Sequence, residues 1–211
     1  MSQRYFVAGT DTEVGKTVLS SLLCAVLEAM YWKPIQTGTL EGTDRQTVMR
    51  LTGVGEERIV REVYSFVPPV SPHLAARWAA VQINLDQIRI PPGIERESLI
   101  IEGPGGVLEP LNDQQFVLDL MARLKLPAIL AARSTLGTIN HSLLSLAALH
   151  SADVPVKGVV LIGDSNKDNR ETLERYGRVP IIGEIPRLPV LNRAALIQVF
   201  ESHFDRRAFE G

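Results

Sequence analysis

The chain has 211 residues, of which 45% are hydrophobic and 22% charged, and a formal net charge of −2. That length suits one domain, residues 1–211, with a sizeable core. The charge balance offers no basic footprint for nucleic acid or a membrane surface, and no apolar run approaches the ~20 residues of a membrane helix. The single cysteine, Cys24, excludes an intrachain disulfide. Cys24 lies among Leu22, Leu23 and Val26, which reads as a small core residue rather than a nucleophile. Met1–Arg4 runs at once into a strand without a signal-peptide pattern, so a cytoplasmic location is the expectation.

The first predicted strand, Tyr5–Ala8, feeds Gly9-Thr10-Asp11-Thr12-Glu13-Val14-Gly15-Lys16-Thr17, and a helical pattern follows over Thr17–Glu28. A glycine loop closing on Gly-Lys-Thr at a helix start makes a phosphate cradle. Backbone N–H groups face the anion, the lysine adds a mobile positive charge, and the threonine hydroxyl reaches a phosphate-held magnesium ion. The usual loop reads G-x-x-x-x-G-K-[ST]; here it is one residue longer, since Gly9 lies six positions before Gly15. The bland alternative is a turn that happens to contain Gly-Lys-Thr, and the strand before and helix after argue against it.

Tyr31–Ile35 reads as the second strand, ending in Lys33-Pro34 with Gln36-Thr37-Gly38 behind it. A lysine at the carboxyl end of a parallel strand faces the ligand side of the sheet, where it can offset phosphoryl charge; otherwise it is a surface lysine before a turn. Apolar spacing predicts about three helical turns before this strand, roughly 18 Å at 1.5 Å per residue, against a return of about 13–14 Å from Ala29 to Lys33. The mismatch implies an early helix end near Leu23–Ala25 or, preferably, residues missing before Met30.

Asp44 opens a helix over Asp44–Thr52, either as a capping carboxylate or as a magnesium ligand, and residue type alone favours the cap. The strand Leu99–Glu102 is an apolar run closed by one acidic residue, the pattern of the second metal-binding motif of phosphate-loop enzymes. Gly103-Pro104-Gly105-Gly106 lets backbone approach a ligand there. Further strands are expected at Ala128–Ala132, Val156–Ile162 and Ile181–Ile185, and further helices at Asp113–Leu124, Ile139–Ser151, Asn169–Tyr176 and Asn192–Phe204. Leu136-Gly137-Thr138-Ile139-Asn140 opens one of these helices, offering a second anion site or ordinary capping by Thr138. His73 and His141 read as structural. This alternation of near-continuous apolar strands with amphipathic helices predicts an α/β doubly wound, mostly parallel sheet of the phosphate-loop NTPase type, with ligands at the strand carboxyl ends.

These segments together resemble the dethiobiotin synthase family. Its loop is identical to Gly9–Thr17, and its other motifs resemble Tyr31–Pro34, Thr37, Ser71–His73, Glu102–Gly106, Leu136–His141 and Gly183–Pro186, in order along nearly the whole chain. The resemblance implies an ATP- and Mg2+-dependent ligase of biotin synthesis that closes a cyclic urea on 7,8-diaminononanoate with CO2, acting as a homodimer. It places Thr17, Asp44 and Glu102 on the metal. Lys33, Lys16 and Thr12 would serve the chemistry, and Thr12, Lys33 and Thr37 would contact the diamine or its carbamate. The ATP contacts would be Glu13, Val14, Gly15, Lys16, Thr17 and Val18, the segment Gly103, Pro104 and Gly105, and the segment Pro186, Arg187 and Leu188. Gly137, Thr138, Ile139 and Asn140 would hold the substrate's far carboxylate across the dimer. Two positions depart from the family: Ile162 stands where it places a base-reading asparagine, and Arg193 where some relatives carry an acidic residue. The rival reading is a regulatory or partitioning ATPase that switches dimer state. Such proteins carry an additional early loop lysine, which this loop lacks before Lys16.

Overall fold

A computed structural model describes residues 2–210. In chain order, β1 (Arg4–Gly9) enters the loop, and α1 (Lys16–Leu27), β2 (Met30–Trp32), β3 (Ile35–Thr37) and α2 (Asp44–Thr52) follow. Then come β4 (Ile59–Val60), β5 (Tyr64–Phe66), α3 (Pro72–Trp78), β6 (Leu99–Glu102), α4 (Val117–Leu124), β7 (Ala128–Arg133) and α5 (Thr138–Ser151). β8 (Val156–Ile162), α6 (Lys167–Gly177), β9 (Ile181–Ile185) and α7 (Arg193–His203) follow, and a short 3-10 turn over Arg206–Phe209 comes after α7.

Among the described residues, seven strands form one parallel sheet in the order β4-β2-β6-β1-β7-β8-β9. Period-two alternation sends Phe6, Trp32, Ile101 and Leu130 to one face, beneath residues of α3 to α6, and Val7, Tyr31, Ile100 and Ile129 to the other, beneath α1, α2 and α7. Both faces are apolar because both are covered, which is why the strands lack the polar alternation of a half-exposed sheet. The register sets the functional rim. Val7 and Ile101's successor Glu102 pair across β1 and β6, while Trp32 pairs with Ile101 across β2 and β6, so Lys33 emerges level with Glu102.

Three expectations need correction. The strand expected over Tyr31–Ile35 breaks at Lys33-Pro34. Proline carries no N–H for the ladder, and its carbonyl instead accepts from Val63 and Tyr64, so Ile35–Thr37 peels away to pair with β5. The helix expected from Asp113 starts at Val117, since the Asn112 side chain holds Gln114 and Gln115 in a turn and the Asp119 carboxylate accepts the Phe116 N–H. The circuit before Met30 closes with the residues present. α1 runs to Leu27 and stops where Glu28 turns left-handed and the Ala29 N–H bonds the Cys24 carbonyl. Lys33 has only to reach the level of Glu102, which pairs with Val7, two residues below the start of the loop. Its four-carbon stem covers the remaining distance.

Candidate active site

The loop folds as a cradle for local steric reasons. A Cβ on Gly9 would stand 2.8 Å from the Asp11 carbonyl oxygen, and Gly15 sits at φ 96° with Ile162 Cδ1 2.8 Å from where its Cβ would be. Both positions therefore exclude a side chain. The first bond of α1 runs from the Leu19 N–H to the Gly15 carbonyl, so the amides of Lys16, Thr17 and Val18 have no helical acceptor. Lys16 Nζ donates to the Asp11 carbonyl at 2.8 Å, tucked over its own loop. Burial pushes the Lys16 ammonium down to about 8, against the pull of Glu102. From β7, Arg133 donates to the Thr12 carbonyl at 2.8 Å and pairs with Asp11 at 3.3 Å, bracing the loop from outside.

Thr17 Oγ1 lies 2.7 Å from Asp44 Oδ1 and 2.9 Å from Glu102 Oε1. One hydroxyl proton cannot serve both carboxylates, so a further positive group is needed between them. In this structure Lys33 supplies it, pairing with Asp44 and, at 3.3 Å, with Glu102. Burial would lower the Lys33 pKa, but the two carboxylates outweigh it and hold the ammonium above its ordinary value. Burial would likewise raise Asp44, and Lys33, Thr17 and Gln36 bring it below the usual carboxylate range. Asp44 is free for this because it is not the cap. Thr43 caps α2, exchanging bonds with Gln46, and Gln36 Oε1 takes the Asp44 N–H at 3.1 Å. Glu102 is 0% exposed and its other oxygen, Oε2, accepts from the Tyr31 hydroxyl at 3.0 Å.

These groups open into one cleft of about 900 Å³. Thr12, Glu13, Gly15, Lys16, Thr17, Val18, Lys33, Thr37, Asp44, Glu102, Pro104 and Gly105 all line it, and Ser71 and Pro72 close its far side. Val14 is turned into the core, and Gly103 packs where its Cβ would meet the Phe6 ring at 2.8 Å. Pro186, Arg187 and Leu188 stand beyond β9, away from the cleft lining. Gly137, Thr138, Ile139 and Asn140 form the start of α5 and also lie outside it. Thr138 does not cap that helix, Gly137 does, with φ 95°, and the Thr138 hydroxyl meets Ser142 instead. Cys24 is a buried free thiol, held up in pKa by burial.

Residue-by-residue reading missed Tyr31, Gln36 and Arg133. Tyr31 was legible in principle, because it lies two residues before Lys33 and shares its strand face. Arg133 was legible only through strand order, which puts β7 beside β1.

Curated relatives align along the full chain. "ATP-dependent dethiobiotin synthetase BioD" of Agrobacterium fabrum is 47% identical over 209 residues, covering 99% of this chain and 98% of the relative. Proteins of the same name from Brucella melitensis and a Bradyrhizobium species are each 46% identical, over 100% and 99% of this chain and 99% of the relative in both cases. The chain belongs to the dethiobiotin synthetase family. The family model described as "AAA domain" also matches, over residues 3–195. Among solved structures, a MinC:MinD cell division complex from Aquifex aeolicus aligns with TM-score 0.57 at 14% identity, over 93% of this chain and 86% of that one. A ParA family ATPase from Chlorobium tepidum aligns with TM-score 0.55 at 13% identity, over 95% and 93%. At such identities the likeness is one of fold, the phosphate-loop NTPase sheet that the alternating pattern predicted. No helix among the described residues is long and apolar enough to cross a membrane.

Proposed function

We propose that this enzyme is an ATP- and magnesium-dependent cyclo-ligase that converts 7,8-diaminononanoate and CO2 into dethiobiotin, releasing ADP and phosphate. Family membership supports the overall reaction. The observation that carries the residue assignment is the meeting of Lys33 with Thr17, Asp44 and Glu102 in the cleft that also holds Lys16. A nucleotide-binding module needs the loop and its lysine. It has no use for a second buried lysine just past the end of β2, two strands from the loop.

Thr17, Asp44 and Glu102 are the residues that would hold Mg2+. Their donors are all oxygen, one hydroxyl and two carboxylates, the hard and incomplete set this ion takes when waters and phosphate oxygens fill the rest. When bound, the ion would offset charge on the transferring phosphoryl group. The free amides of Lys16 to Val18 and the Lys16 ammonium would bind the ATP phosphates. One substrate amine adds to CO2 and loses a proton, giving a carbamate. A carbamate oxygen attacks the γ-phosphorus and ADP leaves, producing a carbamic-phosphoric anhydride. The second amine then attacks the carbonyl carbon, phosphate departs, and loss of a proton leaves the cyclic urea. Negative charge would grow at the carbamate and again on the anhydride, and Lys33, aided by Thr12 and Thr37, would offset it. Gly137 to Asn140 would take the substrate's distant carboxylate from a second copy of the chain, which accounts for their place outside the cleft of a single copy. Pro186 to Leu188 would border the nucleoside, with Ile162 leaving no side-chain amide at the end of β8 to read the base. A cytoplasmic homodimer follows from the same reading.

The deciding experiment is coupled detection of ADP. Release that requires both the diamine and bicarbonate bears out the ligase. Release indifferent to the diamine would replace it with an ATPase switch.

A further inference from the structure

The two oxygens of Glu102 face opposite environments. Oε1 turns to the cleft, 2.9 Å from the Thr17 hydroxyl and 3.3 Å from Lys33. Oε2 turns into the core, where its partner is the Tyr31 phenol at 3.0 Å. Tyr31 is itself 1% exposed, within the cluster formed by Leu22, Val48, Leu51 and Ile100. Strand geometry explains the arrangement. Tyr31 pairs with Ile100 across β2 and β6, and Lys33 and Glu102 each lie two residues further on the same face, so phenol and ammonium approach the one carboxylate from below and above.

We infer that Tyr31 is a positioning residue, its hydroxyl locking the Glu102 carboxylate so that Oε1 is presented to the metal and the phosphates. The inference rests on the magnesium assignment above and names the residue on which that ligand's orientation depends. A fully buried carboxylate keeps its charge only if its lone pairs are met. Without the phenol hydrogen, Oε2 would face apolar side chains. The carboxylate would then rotate towards the cleft for other donors, and that change weakens it as a ligand. Partners of this kind in other metal sites typically contribute 10–100-fold in metal affinity.

The test uses Mn2+ as probe, followed by electron paramagnetic resonance, on the full chain with a non-hydrolysable ATP analogue and no diamine, so that no turnover enters. Tyr31→Phe should weaken Mn2+ binding about tenfold or more while leaving metal-free binding of the analogue within about twofold. Tyr5→Phe, which removes another buried-side phenol remote from the cleft, should leave Mn2+ binding unchanged. The double variant Tyr31→Phe/Glu102→Gln should bind Mn2+ no more weakly than Glu102→Gln alone. Wild-type Mn2+ affinity in Tyr31→Phe, with affinity lost in Glu102→Gln, would overturn the positioning role and spare the metal assignment. Wild-type affinity in Glu102→Gln would overturn the metal assignment, and this inference with it. If Tyr31→Phe unfolds while the double variant folds, the phenol serves the Glu102 charge as argued; if both unfold, it serves the core and the inference fails.

Discussion

Two rims at the carboxyl ends of the same sheet are built on opposite principles. At the β2–β6 rim, Lys33 and Glu102 are 8% and 0% exposed, and every charged atom is met by Thr17, Asp44 or Tyr31. At the β8–β9 rim, Arg187 faces Asp164 at 3.6 Å with side chains 78% and 81% exposed, and the better-held pair there is Arg170 with Glu184 at 2.8 Å. Burial makes the first cluster costly to break and therefore able to hold geometry. Water and salt leave the outermost pair of the second with little hold on anything. Transfer chemistry needs fixed charge, so the proposed reacting groups belong to the first rim. The proposed purchase on a nucleoside tolerates the looser second one.

The contrast breaks most decisively at Lys33. Lys33→Ala should lower kcat by ~10²–10³-fold, the scale of removing one preorganised charge from a transition state, with nucleotide affinity largely kept. Steady-state kinetics beside calorimetric titration of the ATP analogue separates the two. Loss of nucleotide binding with the rate per bound complex preserved would show that Lys33 belongs to the cradle and not to the transferring group. Next in size is the point where the phosphate loop touches the second rim, Gly15 against Ile162. Gly15→Ala meets both a φ of 96° and a contact at 2.8 Å, and should destabilise the fold by about 2 kcal/mol or more in a urea titration. Ile162→Ala removes the contact but also core packing of its own, so the comparison is a double-mutant cycle: Gly15→Ala should cost less in the Ile162→Ala background than in the wild type. No cost in that background would mean the backbone angle is not strained, and an undiminished cost that Ile162 is not what the loop leans on.

How far the sequence was legible follows the same division. The loop, Lys33, Asp44 and Glu102 could be placed because each sits at a strand end or helix start, where topology forces position whatever the side chain does. The β8 and β9 strands were equally plain as apolar runs. What failed were features decided by competition between local bonds. Pro34 ends one strand and begins another sheet, and the Asn112 turn delays α4. The return of about 13–14 Å available from Ala29 to Lys33 suffices because the register requires Lys33 only to draw level with Glu102. The bond from Tyr31 to Glu102 spans 71 residues of sequence. It becomes visible only once β2 is known to lie beside β6. Nothing in the local pattern of either segment announces the other.

Within the second rim, Glu184 is the member with structural hold. Burial would raise its pKa, but the Arg170 pair and the Ser165 hydroxyl bring it below the usual glutamate value. A carboxyl depressed in the folded state stabilises above its unfolded pKa, about 4.3, and that contribution is lost as pH falls through the lower folded value. Glu184→Gln should therefore cost about 1.5 kcal/mol at pH 7, the scale of a hydrogen bond to a charged group. The gap between variant and wild type in denaturant titrations should close as pH is taken below about 4. A gap independent of pH would mean that the side chain matters for packing and not for its charge.

The smallest effect belongs to Arg187. Its partner Asp164 is as exposed as it is, so the pair contributes within about 0.5 kcal/mol, and Arg187→Ala should leave the urea midpoint unmoved. Its proposed contact with the nucleoside would appear as a rise in KM for ATP with kcat unchanged, since contacts remote from the transferring group are made equally in ground and transition states. A fall in kcat on Arg187→Ala would contradict the division between the rims, because an exposed cation beyond β9 would then be acting on chemistry assigned to buried charges at β2 and β6.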